Sequence, residues 1–337
     1  MKLNKILAAT ALLVASLLGP ATASAETRSL CVFDPAGRSG DYFDLMSKYA
    51  IQASTWGVDV EIRPYTDEET AAKDYEAGQC DGVAATGVRL QRFNRFSSSI
   101  EAIGGLPDYG LLKQMIRTLS TSAGASAKLT HNGNTTIGFI PVGAVYLFVR
   151  DRSIDTVPEL AGKRIATLDY DKASVFMVDR IGAIVVPADL GSLGPKFNNG
   201  DVDACYVSAP VYEPFELHRG LGTNGGIIRA PLAQATIQVM IRESRFPEGF
   251  VEKSRADLLA RFDTALNHIQ RSEANIPERY WIDIPSDTLQ AWDTMFQGVR
   301  VALRDQEHAY DGAMLTVMKQ LRCAQDSSRS ECAENKE

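Results

Sequence analysis

Several polar side chains in this chain stand where short apolar runs stop. Val83-Ala84-Ala85 ends at Thr86-Gly87, and Arg89 and Arg92 follow at once. A guanidinium presents paired donors in a planar fork, which suits a carboxylate. Thr86 adds a hydroxyl at the end of the same run. Asp169 ends the later run 164–168, Ser208 ends the run 204–207, and Tyr212 follows close by. Asp34 and Ser39 lie in a glycine-containing loop at the start of a helical pattern, where backbone N–H groups favour an anionic or polar group. Tyr146 belongs to the apolar run 144–149. The candidate set is therefore Asp34, Ser39, Thr86, Arg89, Arg92, Tyr146, Asp169, Ser208 and Tyr212. Its chemistry is reversible capture of a small polar or anionic molecule, with an acid in reserve for an amino group. The plainer alternative is that Arg89 and Arg92 are solvated or pair with surface acids.

Catalysis has no comparable support. There is no nucleophile elbow and no His-based triad spacing. His131, His218, His268 and His308 are scattered, and none has a metal-ligand neighbour at standard spacing. The loop 34–41 matches neither G-x-G-x-x-G nor G-x-x-x-x-G-K-[ST], so its glycines read as a tight turn rather than a nucleotide cradle. No enzyme activity, cofactor or metal is expected.

The elements that must position these side chains show an internal repeat. Tyr75 to Gly87 and Phe197 to Pro210 both read aromatic, two residues, Gly, two residues, Asp, small residue, then a short apolar run. Each is a helix ended by a left-handed Gly, a turn holding the Asp, and a strand buried on both faces. Strand 29–33, helix 42–56, strand 58–62, a capped helix from Thr66 and strand 83–86 make a parallel β-α-β-α-β unit. A second unit has a short helix at 156–163, strand 164–168, helix 172–180, strand 183–186 and the second repeat. Runs 136–140 and 144–149, split by Pro141-Val142-Gly143, carry the chain across; residues 227–241 carry it back. The fold class is α/β, with two lobes, each a mainly parallel sheet of its own flanked by helices, and a helical C-terminal region. One lobe takes residues 26–140 and 236–337, the other residues 141–235. Ligands of such sheets sit beyond the carboxyl ends of the strands, here in one cleft between the lobes. The serine-, threonine- and glycine-rich stretch 120–134 reads as a mobile loop or helix end, and the polar tail 324–337 as frayed.

Composition agrees with a globular chain of two domains: 337 residues, 45% hydrophobic and 23% charged. A net charge of −7 without any basic block argues against nucleic acid as a partner. Lys2 and Lys5, the apolar run 6–18 and Ala23-Ser24-Ala25 form a secretory signal, cleaved after Ala25, which places the mature protein in a periplasm. The five cysteines fit an oxidising compartment. Cys31 opens the first strand and Cys80 precedes the third, so a staple between sheet neighbours is expected. Cys323–Cys332 closes a short C-terminal loop, and Cys205, inside a strand, stays a free thiol.

Together with the export signal and the two-lobe pattern, five short elements carry a family resemblance. They are Tyr65-Thr66-Asp67-Glu68, Gly78-Gln79-Cys80-Asp81, Ala161-Gly162-Lys163, Phe197-Asn198-Asn199-Gly200 and Tyr280-Trp281. In order and spacing the chain resembles the DctP-like substrate-binding subunits of tripartite ATP-independent (TRAP) transporters, of type II periplasmic binding fold. Within these it resembles the AdeT-like solute-binding proteins. The resemblance implies a solute-binding protein, monomeric, that delivers a small molecule to membrane transporter subunits. An exported adaptor serving an efflux system or a sensor is the alternative. The family also implies an arginine in the strand after the Gly-Lys element, clamping the ligand carboxylate. Ala166 stands at that place here, with Arg164 two residues earlier, so an anion would need Arg89 and Arg92. Type II amino-acid-binding proteins place an arginine shortly after the equivalent strand, which residues 81–92 resemble.

Overall fold

The computed structural model describes residues 26–337; the expected export signal at residues 1–25 and its expected cleavage site lie outside the described residues. The chain begins β1 (Glu26–Phe33), α1 (Asp41–Ser54), β2 (Val58–Tyr65), α2 (Glu68–Glu76) and β3 (Gly82–Thr86). Two short helices follow, α3 (Gly87–Leu90) and α4 (Arg95–Ser98), then α5 (Tyr109–Thr121), α6 (Ala123–Ala127), β4 (Thr130–His131) and the long β5 (Asn134–Val149). Next come β6 (Arg164–Leu168), α7 (Lys172–Arg180), β7 (Ile184–Ala188), α8 (Leu190–Asn199), β8 (Ala204–Ser208), α9 (His218–Leu221), β9 (Gly226–Ile228) and β10 (Ala233–Arg242). The remainder is helical: α10 (Phe250–Ala260), α11 (Phe262–Ala274), α12 (Ser286–Asp305) and α13 (Gly312–Gln325), with β11 (Trp281–Ile282) before α12.

The repeated unit has a common mechanics. Gly78 and Gly200 take left-handed backbone just past α2 and α8, at φ 81° and 84°. The aromatic residue before each, Tyr75 or Phe197, is fully buried. The Asp of each unit then ties its strand to the neighbouring parallel strand. Asp81 accepts from the Ser29 N–H on β1 at 2.9 Å, and Asp203 from the Arg164 N–H on β6 at 2.8 Å. Each also pairs with an arginine, Arg245 at 2.9 Å and Arg164 at 2.8 Å. Arg164 is thereby committed at the amino end of β6, away from the strand ends where a ligand would sit.

β2-β1-β3 is one parallel group and β7-β6-β8 another, as the sequence leads one to expect. They are not separate sheets. β10 runs antiparallel to β3 and β5, β5 runs antiparallel to β8, and the described strands join into one sheet. The reason is the length of β5. Sixteen residues at about 3.3 Å each span roughly 50 Å, enough to pair β10 along residues 134–145 and β8 along residues 145–149. The expected break at Pro141-Val142-Gly143 is a bulge inside this strand. Pairing passes from Ala235–Gly143 to Thr236–Pro141, leaving Val142 without a partner. That position suits a proline, which has no N–H for the ladder, and a glycine at φ 132°.

Three further expectations change. The helix at 156–163 shrinks to a single turn at Pro158–Leu160. The stretch 120–134 forms the end of α5, α6 and a β4–β5 hairpin. The tail is not frayed. Glu331 and Glu337 are buried against Arg300 and Arg322, whose side chains are 2% and 0% exposed. Glu331 meets Arg300 at 2.9 Å and Arg322 at 2.7 Å; Glu337 meets them at 2.5 and 2.6 Å. The same guanidinium groups donate to the carbonyls of Ile103 and Gly105, at 3.0 and 2.7 Å. These buried pairs thus tie the tail to the segment that leads away from α4. Both expected disulfides, Cys31–Cys80 and Cys323–Cys332, are present, and Cys205 is free and buried.

Candidate functional site

The carboxyl ends of β3 and β8 approach each other across β5 and β10. Between them lies a cavity of about 220 Å³. Its walls are mainly apolar, built by residues such as Phe33, Val145, Leu168, Met177, Leu193 and Phe215. Its polar lining comes from both parallel groups. Thr86 ends β3, Ser208 ends β8, Tyr170 and Asp171 lie between β6 and α7, Ser98 ends α4 and Glu101 follows it.

A contact at the rim ties the two sides together. Glu68, at the start of α2, is 3% exposed. It accepts from the Thr86 hydroxyl at 2.6 Å and from the Tyr170 hydroxyl. Arg89 Nε stands 3.7 Å from Glu68, and the Arg89 guanidinium lies 3.6 Å from the Tyr170 ring centre. Burial and the neighbouring Glu68 carboxylate push the Tyr170 phenol well above its ordinary range. Tyr170 therefore stays a neutral donor and Glu68 its acceptor.

The floor is unusual for carrying acids without cations. Glu101 is 9% exposed and accepts from the N–H groups of Gly87 (3.2 Å), Val88 (3.1 Å) and Thr236 (2.8 Å), and from the Thr236 hydroxyl (2.5 Å). Those donors favour the carboxylate, but burial outweighs them and raises its pKa to about 8; Asp171 adds to the rise. Asp171 caps α7, accepting from the N–H groups of Ala173 (3.1 Å) and Ser174 (3.2 Å) and from the Ser174 hydroxyl. Burial raises its pKa as well, against those donors. By accessible surface it is half-buried. Beside them, Gln234 is 1% exposed with neither amide atom bonded, and the Ser98 hydroxyl, on a residue 4% exposed, also lacks a partner.

Of the nine residues singled out from sequence, Thr86 and Ser208 line this cavity. Arg89 stands at the rim in the contact with Glu68 and Tyr170. Arg92 is exposed, 3.2 Å from Glu76 and stacked on Phe93, outside the lining. Asp34 turns to the α1 start, accepting from the N–H groups of Ala36, Tyr42 and Phe43 at 2.9, 2.9 and 3.2 Å. The anion at that helix end is thus the protein's own carboxylate. Ser39 is exposed and donates to the Ala36 carbonyl. Asp169 is exposed outside the lining, Tyr146 donates to Glu273 at 3.3 Å, and Tyr212 packs against Tyr280. Ala166 sits buried in β6 opposite Cys205 of β8. Sequence reasoning passed over Glu68, Glu101, Tyr170, Asp171 and Gln234. Two signals were available: a lone acid within Ile100-Glu101-Ala102-Ile103, and the alternating Gln234, Thr236 and Gln238 on one face of β10.

Among the described residues no group of three or more His, Cys, Asp or Glu is placed to hold a metal, and no helix is long and apolar enough to cross a membrane. Residues 50–337 match the family described as solute-binding protein AdeT 1/2. This chain belongs to the AdeT 1/2 family of solute-binding proteins. An AdeT relative from Acinetobacter baumannii, named "Probable solute-binding protein AdeT1", is 36% identical over 306 residues, covering 91% of this chain and all of that one. The AdeT chain also shares its fold with solved TRAP periplasmic solute-binding proteins. One from Rhodoferax ferrireducens, with bound malonate, superposes with a TM-score of 0.69 at 14% identity, over 88% of this chain and 98% of that one. Another from Ralstonia eutropha, with bound (S)-2-acetolactate, gives 0.69 at 12% identity, over 88% and 99%.

Proposed function

We propose that this solute-binding protein works in the periplasm as a monomer, exported by residues 1–25, and hands one small molecule from its cavity to membrane transporter subunits. The observation that carries the reading is the cavity at the carboxyl ends of both parallel groups, bridged at its rim by Glu68 and Tyr170. Solute enters when that bridge is open and is enclosed when it forms. Residues 26–140 with 236–337 move against residues 141–235, bending at the β5–β10 bulge. The transport reading is supported by the family's naming and by the TRAP periplasmic proteins that share the fold. No chemical step is required of the site. Cys205 is buried and burial raises its thiol far above the reactive range, which fits a packing role.

The test is a thermal-shift screen of the mature protein against metabolites, with Val145→Trp as a variant that fills the cavity. A ligand at ~100 times its dissociation constant should add about 2.7 kcal/mol of stability to the parent and nothing to Val145→Trp. Hits that stabilise both proteins equally would put the solute elsewhere. A sedimentation run showing dimers at micromolar concentration would overturn the monomer.

A further inference from the structure

We propose that the solute is a small, largely apolar amine, its ammonium group held among Glu101, Asp171 and Gln234; this rests on reading the cavity as the solute site. No lysine, arginine or histidine lines that cavity. Arg89, at the rim and outside the lining, faces Glu68 at 3.7 Å and the Tyr170 ring, although its Nε makes no hydrogen bond. Glu101 and Asp171 both line it, and neither has an ion-pair partner among the described residues. Holding a buried acid, Glu101, and a half-buried one, Asp171, without a cation is unfavourable, and a solute that brings the cation relieves both at once.

Two unpartnered groups can serve as acceptors for that cation, while the unbonded Gln234 Nε2 can donate to a second polar atom of the solute. An ammonium has three donors and no acceptor. Its donors need acceptors beyond one carboxylate, and the Gln234 amide oxygen and Ser98 hydroxyl, both more than nine-tenths buried, have no bond within the protein. An organic acid meets the opposite situation, bringing a negative charge beside two acids with no cation in the lining to receive it. The walls then set the rest of the molecule. A cavity of about 150 Å³ lined by aliphatic and aromatic side chains takes benzene. The present 220 Å³ has room for a ring with a short chain ending in the amine. Buried acids with backbone donors also explain how the empty cavity persists: Glu101 holds its proton until a cation displaces it.

Three probes with one apolar body separate the heads: 3-phenylpropylamine, 3-phenylpropan-1-ol and 3-phenylpropanoate, titrated calorimetrically into the mature protein. The expected order is amine, alcohol, carboxylate, with the amine at least tenfold tighter than the carboxylate. Glu101→Gln and Asp171→Asn should each weaken the amine at least tenfold and leave the alcohol within about threefold. Asp171 also caps α7, so its variant is read only if its circular dichroism matches the parent. Gln234→Leu is the second probe, expected to weaken the amine without loss of fold. The proposal is overturned if the carboxylate binds as tightly as the amine, if none of the three binds, or if the acid variants leave amine affinity unchanged. A metabolite that carries a carboxylate and no amine, and that fails to bind Val145→Trp, would refute the amine while keeping the cavity as the solute site. Metabolites that bind Val145→Trp unchanged would refute both.

Discussion

Glu101 shows how much one buried carboxyl can shape this site. Four donors surround it, yet burial raises its pKa to about 8. The folded value lies above the unfolded value of about 4.5. Its contribution to stability is therefore fully present below that unfolded value and is lost as pH rises through about 8. Glu101→Gln removes the titration. Urea unfolding across this window should show the parent losing on the order of 1 kcal/mol per pH unit relative to the variant. Parallel pH profiles would mean that Glu101 is ionised in the folded protein throughout. The residue was hidden in the sequence because its environment comes from the start of α3, across a turn and a helix, and from β10, more than a hundred residues later. Thr86 and Ser208 were legible because strand ends can be read locally. For Arg89 the sequence left two readings open, a ligand clamp or a pair with an acid, and its neighbour Glu68 was hard to foresee because it looked like an ordinary first-turn acid.

At the scale of elements, the helix–Gly–Asp–strand repeat was legible because each part acts within a few residues. The left-handed Gly, the buried aromatic and the short apolar run have one local solution. The Asp has a less obvious job, to accept an N–H from the adjacent parallel strand. Asp81→Ala and Asp203→Ala should each destabilise the fold by about 1–3 kcal/mol, since a partly buried donor loses its acceptor. Solute affinity should stay within about twofold, because both residues lie at the amino ends of the strands. A large affinity loss with unchanged stability would show that the repeat shapes the cavity directly. The break read at Pro141-Val142-Gly143 was a break only by the rules of a regular ladder. Whether a proline ends a strand or seats in a bulge depends on its partner β10, which arrives about ninety residues later.

Over the whole molecule, the α/β class, the two parallel groups and both disulfides followed from the sequence. The joining of those groups into one sheet and the ordering of the tail did not, because both depend on contacts between distant segments. The tail illustrates the physical reason. Burial alone would raise the Glu331 carboxyl, but Arg322, Arg300 and Arg329 hold its pKa down at about 2. That contribution is present above the unfolded value near 4.5 and is lost as pH falls through about 2, so acid should release the tail. At neutral pH, Glu331→Ala leaves two buried guanidinium groups short of a partner and should destabilise by about 3–5 kcal/mol. The rim contact acts at the same scale, since Glu68 and Tyr170 approach from opposite sides of the cavity. A hydrogen bond to a charged group contributes about 1.5–3 kcal/mol, so Tyr170→Phe should cut the closed-to-open ratio about tenfold or more. Apparent solute affinity should fall in proportion to the closed fraction, up to that factor, because the ligand binds only the closed form. Small-angle scattering should then show the unliganded variant with a larger radius of gyration than the unliganded parent, and the two alike at saturating solute. Equal radii without solute, together with unchanged affinity, would mean that the Glu68–Tyr170 bond follows closure rather than holding it.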